Sequence, residues 1–320
     1  VRALLAQGHR VRALVRSERR ALAGLDVELV EGDLRDEDSL RRAFAGAEVV
    51  FHSAAQISLS SKEWASLAAT NVQGTKHVVQ ACLGAGARRL VHVSSIGALV
   101  HTPLDRPLDE GNALVSSIGR YPYGYAKALA EREVRQGIAA GLDAVIVRPT
   151  VILGPYDFRV GSSNQLIVGA AAGQIPVALP GGCDFVDVRD VAAGALRAAE
   201  VAPCGADYML GGEWVTTLDV ARRVAALTGA TPPKGTLPMW AARGMALAGD
   251  LRAQLSGAKP QLTSAALAAV SGNRQISHAR ATRELGYAPR GLDTTLADTV
   301  AWLQEQGVLP RQAAAHTRVA

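Results

Sequence analysis

Short apolar runs alternate with longer amphipathic stretches along the first half of the chain. Residues 10–15, 27–30, 49–52, 90–93 and 144–147 are rich in Val, Leu and Ile and are bounded by Gly or polar residues. Such runs predict strands buried on both faces. Between them, residues 39–45, 64–83 and 124–140 carry apolar positions at helical spacing. Alternation of this kind predicts βαβ units and an α/β fold built on a doubly wound parallel sheet. In such sheets ligands gather beyond the carboxyl ends of the strands. After about residue 150 the alternation loosens and Gly and Pro become frequent, as in Gly154-Pro155 and Pro180-Gly181-Gly182. The pattern therefore predicts one unit over residues 1–150 and a smaller C-terminal lobe over 151–320, interleaved with the last strands of the sheet. The start of the chain, through Gly8, reads as the end of a helix followed by a strand. A doubly wound domain should open one strand earlier. A strand, a glycine-rich turn and a first helical turn are expected ahead of Val1, on the order of 20 residues.

Composition narrows the function classes. The 320 residues carry a net charge of +5, but the basic residues are scattered. Arg16, Arg19 and Arg20 form the one tight cluster, with no interleaved aromatics, so no nucleic-acid partner is expected. Cys82, Cys183 and Cys204 are too few and too far apart for a disulfide framework or a zinc site, and no metal is expected. The most apolar stretch, residues 166–180, is interrupted by Gly169, Gly173, Gln174 and Pro176. It falls short of the ~20 residues of a membrane span. With no signal segment at its start, the chain is expected to be soluble and cytoplasmic, without a membrane partner.

Chemistry concentrates at two places. Tyr123 and Lys127 in Tyr123-Gly124-Tyr125-Ala126-Lys127 are four apart on a predicted helix and share a face. An ammonium beside a phenol stabilises the phenolate and makes the tyrosine a usable acid–base group. Ser94-Ser95 ends the predicted strand at 90–93. A hydroxyl there can donate to a substrate oxygen as charge develops on it, although Ser-Ser after a strand is also ordinary turn chemistry.

These stations and others resemble the extended short-chain dehydrogenase/reductase, or NAD-dependent epimerase/dehydratase, family. In chain order they are Gly32-Asp33-Leu34, Phe51-His52-Ser53-Ala54-Ala55, Asn71-Val72-Gln73-Gly74-Thr75, Val93-Ser94-Ser95, Tyr123 with Lys127, and Arg148-Pro149-Thr150. Later come Phe185-Val186-Asp187-Val188-Arg189-Asp190 and Glu284-Leu285-Gly286-Tyr287. The resemblance implies a dinucleotide-binding Rossmann domain over 1–150 and a mainly substrate-binding lobe over 151–320. It implies an oxidoreductase in which Tyr123 exchanges a proton with the substrate oxygen and Lys127 lowers its pKa and bonds the nicotinamide ribose. Ser95 matches the family's catalytic serine better than Ser94. Asp33 and Leu34 would contact the adenine, and Ser53, Ala54 and Ala55 would lie along the ribose–diphosphate path. Pro149 and Thr150 would also adjoin the cofactor, and Asn71 would tie its helix to a neighbouring strand. For Asp33 a plain turn or helix-cap role stays open. The family's glycine-rich turn, which cradles the pyrophosphate, is not among these residues.

Within the resemblance, cofactor preference is read at the end of the second strand of the family, where Val15-Arg16-Ser17 stands. A cation at Arg16 suits the 2′-phosphate of NADP rather than the ribose hydroxyls of NAD. NADP is therefore preferred, with NAD the alternative. Nucleotide-sugar members carry an asparagine soon after the arginine that stands here as Arg148, and often a basic residue before the segment that begins at Phe185. Thr150-Val151-Ile152 and Gly182-Cys183-Asp184 supply neither. The branch with dihydroflavonol reductases and 3β-hydroxysteroid dehydrogenases fits better, with a small hydrophobic or aromatic alcohol or ketone as substrate. A nucleotide-sugar epimerase or dehydratase is the second reading; an NADP-binding regulatory protein or an inactive fragment is a third, of another class. A homodimer through a four-helix face is the self-association the resemblance allows. His101, His278 and His316 have no partners at metal-ligand spacing. Residues 239–255 are apolar at helical spacing, as for core or lid packing, or a cover for a hydrophobic substrate.

Overall fold

A computed structural model describes residues 1–310 apart from 59, 120 and 257–261; for 253–256 and 269 only the backbone is described. His316 lies outside the described residues. In chain order the strands are β1 (Arg12–Val15), β2 (Glu28–Glu31), β3 (Val49–His52), β4 (Arg89–Val93) and β5 (Ala144–Pro149). They continue with β6 (Val151–Leu153), β7 (Gly182–Asp187), β8 (Asp207–Leu210) and β9 (Glu213–Thr216). The helices are α1 (Arg2–Ala6), α2 (Glu37–Phe44), α3 (Trp64–Ala68), α4 (Gly74–Ala85), α5 (Pro122–Ala139) and α6 (Ser162–Ala171). After them come α7 (Val188–Val201), α8 (Thr217–Thr228), α9 (Met239–Ser256), α10 (Ser264–Ala269), α11 (Ala279–Leu285) and α12 (Leu292–Glu305).

The chain divides into two compact units. The first comprises Val1–Thr150, Arg189–Gly211 and Asn273–Pro289, the second Val151–Val188, Gly212–Gly272 and Arg290–Ala320. In the first unit β1 and β2 pair in parallel, and β3, β4, β5 and β8 form a second parallel ladder in that order. Neither ladder hydrogen-bonds to the other, so β1 and β3 each keep an open edge among the described residues. One core still joins them: Leu14 and Val30 pack with Leu34, Leu40, Phe44, Val50, Leu90 and Ile146. β5 is buried along its whole length, as the apolar run Ala144–Val147 that opens it requires. In the second unit β6 and β7 run parallel, and β9 is antiparallel to β7. Its core is built by Phe185, Val220, Leu296 and Trp302 among others.

Local signals explain several boundaries. Gly8, at φ 80°, follows the first helix. Asp36 caps α2 by accepting from the backbone N–H groups of Asp38 and Ser39. Gly86 ends α4 in the left-handed conformation, and Pro122 opens α5. The stretch predicted as helical over 64–83 is helical throughout, but a wide π turn at Ala69–Gln73 lies within it and joins α3 to α4. Asn71 lies in that turn and bonds both ways with the backbone of Gln56, accepting from its N–H and donating to its C=O, each at 2.8 Å. Its partner is thus a loop beyond β3 rather than a strand.

Candidate active site

In the first unit, the loops after β1 to β5 and the start of α5 carry the residues singled out above. Tyr123 and Lys127 occupy the first two turns of α5, both turned inward. Ser95 begins a short 3₁₀ turn after β4, its oxygen accepting from the Gly97 N–H at 3.1 Å. The Ser95 hydroxyl lies beside the Tyr123 phenol, close enough to favour its ionised form. Ser94 faces a different group and donates to the Glu131 carboxylate at 2.6 Å. Geometry therefore brings Ser95, not Ser94, to the tyrosine.

Close approach of α5 to the serine turn depends on glycine. A Cβ on Gly124 would lie 2.2 Å from the Gly97 carbonyl oxygen, and one on Gly97 would lie 2.7 Å from the Tyr121 ring. Aromatic contacts flank the pair: Tyr121 meets Tyr123 edge-on at 5.9 Å, and Trp64 stacks on Tyr125 at 5.4 Å. Lys127 donates from Nζ to the Val93 carbonyl at 2.7 Å. Burial pulls the ammonium down to a pKa of about 8, against the opposing charge of Glu131 one turn along α5. The same burial pushes the Tyr123 phenol up to about 12, with the neighbouring Ser95 hydroxyl opposing it. The spacing argument expected Lys127 to lower the tyrosine, but here burial is the larger effect.

Around the loops, Arg16 follows β1, well exposed, with its guanidinium 3.8 Å from the Asp33 carboxylate. Arg35, which sequence reasoning missed, grips Asp33 through two hydrogen bonds of 3.0 and 2.8 Å. That grip, chiefly the side-chain bonds, holds the Asp33 carboxyl at a pKa of about 2. Asp33 also accepts from the Arg35 N–H in a turn, while the helix cap is Asp36. Leu34 is buried so closely against α4 that a Cβ on Gly74 would come within 2.9 Å of it. Ser53, Ala54 and Ala55 are exposed just past β3. Pro149 ends β5, and Thr150 is buried with its hydroxyl oxygen lacking any hydrogen-bond partner. An orphaned hydroxyl, a bare stretch of small residues and a fixed carboxylate all lie past the carboxyl ends of parallel strands. Together they suit a dinucleotide.

Behind the site runs a charged network that sequence reasoning also missed. Arg148 grips Glu131 through bonds of 2.8 and 2.7 Å and reaches Asp207 at 2.7 Å. Arg135 and Arg280 close on Asp207 at 3.0 and 3.1 Å. Glu131 and Arg148 are sealed from solvent. The signal was a charge ending the otherwise apolar run at β5, with a second charge four residues after Lys127. Beside the network two histidines, His52 and His92, stand in register on β3 and β4 with rings 5.2 Å apart. Burial holds both neutral, His52 down to a pKa of about 3. Among the described residues no cluster of His, Cys, Asp or Glu could hold a metal, and His101 bonds the Ile96 carbonyl instead. Cys82, Cys183 and Cys204 are all free thiols. No helix among the described residues is long and apolar enough to cross a membrane.

Comparison with known proteins agrees with this geometry. Residues 1–211 match the NAD dependent epimerase/dehydratase family. Sterol demethylase protein B of Methylococcus capsulatus is 35% identical over 313 residues, covering 97% of this chain and 95% of that protein. A Synechocystis sp. protein provisionally named dihydroflavonol 4-reductase is 32% identical over 320 residues, covering 98% and 92%. The crystal structure of gox2253 superimposes with a TM-score of 0.84 at 34% identity, over 96% of this chain and 94% of that one.

Proposed function

The chain belongs to the NAD dependent epimerase/dehydratase family, and we propose that it interconverts a hydroxyl and a carbonyl on a small hydrophobic or aromatic substrate with Tyr123 as acid–base. It is an NAD(P)-dependent oxidoreductase of the extended short-chain type. The observation that carries the finer reading is the grouping of Ser95, Tyr123 and Lys127: the serine beside the phenol, and the buried ammonium one helical turn further along α5.

The nicotinamide cofactor supplies or accepts a hydride when bound; every other task falls to side chains. Tyr123 holds a proton at its phenol oxygen, which passes to a substrate carbonyl oxygen in reduction and returns from a hydroxyl in oxidation. Ser95 donates towards the same oxygen and fixes its position. Lys127 keeps a positive charge within the helix turn below the phenol and in this reading bonds the nicotinamide ribose. Asp33, with Leu34, takes the adenine, Ser53, Ala54 and Ala55 line the diphosphate path, and Pro149 and Thr150 adjoin the nicotinamide end. Arg16 takes the 2′-phosphate, which makes NADP the preferred form. Substrate selection is assigned to the second unit, and self-association to a homodimer.

Hydrophobic substrates are favoured over nucleotide sugars by what the chain lacks for a diphosphate, namely the asparagine and the basic residue noted at 150–152 and 182–184. The M. capsulatus relative, whose name refers to sterols, supports the same choice. A panel of aromatic and alicyclic ketones, with nucleotide sugars alongside, tests the reading under NADPH and NADH. Turnover of ketones with NADPH is expected, and turnover confined to nucleotide sugars would overturn it. In Arg16→Ala the preference for NADPH should fall by about tenfold, the worth of one charge-assisted hydrogen bond. An unchanged ratio would remove Arg16 from the phosphate site.

A further inference from the structure

Helix α9 is apolar on both sides, yet among the described residues only one side is covered. Ala242 and Ala246 pack against Leu262 and Leu267 of the α10 region, and Asp250 accepts from the Ser264 N–H to fix that docking. On the opposite side Trp240 is 79% exposed, Leu247 65% and Leu251 57%. With Gly244 and Ala248 they follow one another at i, i+4, i+7, i+8 and i+11, a single stripe about 16 Å long. Met245, 54% exposed, lies towards one border. A helix apolar all round is normally buried on all sides. Here the outer face presents its largest side chains to solvent, where scattered single apolar residues would be the ordinary case.

The borders of the stripe identify what suits it. Arg243 lies on one flank and Arg252 on the other, both exposed, while the acidic residue of the helix, Asp250, is engaged with α10. An apolar strip with an aromatic residue at one end and arginines along both edges has the form of a helix lying in a lipid headgroup layer. Tryptophan favours that layer, and arginine stems can lie along the apolar face while their heads reach anionic phosphates. A second copy of the chain fits less well. Scaled by their exposures of 54–79%, four side chains of ~150–250 Å² each offer roughly 500 Å² in all, against ~800 Å² per partner in a standard interface. We propose that the outer face of α9 is a docking surface for an anionic lipid bilayer, with Trp240, Leu247 and Leu251 entering the headgroup region and Arg243 on the phosphates. This does not depend on which substrate the first unit serves.

Vesicle co-sedimentation of the full chain tests it. One vesicle set is phosphatidylcholine alone; the other holds equal parts phosphatidylcholine and phosphatidylglycerol. The chain should sediment with the anionic vesicles, weakly with the neutral ones, and less as salt rises. Trp240→Glu/Leu247→Glu should lose about tenfold or more in apparent affinity, since two apolar anchors become charged. Leu251→Gln serves as a milder second variant, and unchanged circular dichroism and urea midpoints establish that each remains folded. Arg243→Glu should abolish the preference for anionic vesicles. No sedimentation with either vesicle, or sedimentation that these variants leave unchanged, would overturn the proposal. So would light scattering that shows a dimer which the Glu variant dissociates, because the face would then belong to a second copy.

Discussion

Glu131→Ala probes the network that backs the acid–base pair. The carboxylate is fully buried, accepts from Ser94 at 2.6 Å, and takes two bonds from Arg148 at 2.8 and 2.7 Å. Removing it leaves the Arg148 guanidinium in a closed site with Asp207 as its remaining anionic partner, and leaves the Ser94 hydroxyl without its acceptor. Each charge-assisted bond is worth ~1.5–3 kcal/mol, and stranding a buried charge costs ~3–5 kcal/mol. Asp207 retains part of the compensation, so a loss of about 3–4 kcal/mol is expected. Urea unfolding followed by circular dichroism measures it as a lowered midpoint. Glu131→Ala/Arg148→Met should recover much of the loss, because a buried pair replaced by apolar groups is often near neutral. A Glu131→Ala change under about 1 kcal/mol would refute the reasoning, since it would mean the site readily admits water or another partner. The same variant should lower the Lys127 pKa further below about 8, because Glu131 is the charge that raises it.

Two further predictions follow from the packing and from burial. Gly124→Ala places a methyl 2.2 Å from the Gly97 carbonyl and should displace α5 from the serine turn. Stability should fall by ~1–3 kcal/mol and turnover should drop with it; wild-type kinetics would show that the close approach is not needed. His52 and His92 are held neutral in the folded chain, His52 to a pKa of about 3 against an ordinary 6.5. The unfolded chain therefore takes up protons first, and stability is lost as pH falls below about 6.5, by ~1.4 kcal/mol per pH unit for each ring. Urea midpoints at about pH 7.5 and about pH 5.5 should differ accordingly, whereas equal midpoints would place the histidines in contact with water.

Much of the first unit was legible from the chain because its strands are short, apolar and separated by helices of consistent period. Residues 49–52 and 144–147 lie within the observed strands because a run buried on both faces needs no tertiary information to be read. The π turn at Ala69–Gln73 was not legible, since it depends on Asn71 bonding a loop fifteen residues away. Nor was the return of Asn273–Pro289 to the first unit, where Tyr287 donates to the Gly211 carbonyl and Glu284 accepts from Tyr208. At the site, the Tyr123–Lys127 spacing was readable, but the elevated tyrosine pKa was not, because burial is a property of the packed chain. Arg35 was missed for a related reason: its grip on Asp33 needs the turn geometry between β2 and α2.

The account rests on Tyr123 carrying the proton, and Tyr123→Phe isolates that atom while keeping the ring that packs with Leu67 and Val72. Reduction of a ketone substrate and NADPH binding by fluorescence titration should be measured on the same preparation. The account predicts a fall in turnover of at least about a hundredfold, the usual worth of a positioned acid–base group, with cofactor affinity within a few-fold of the parent. Retained turnover in the phenylalanine variant would contradict it.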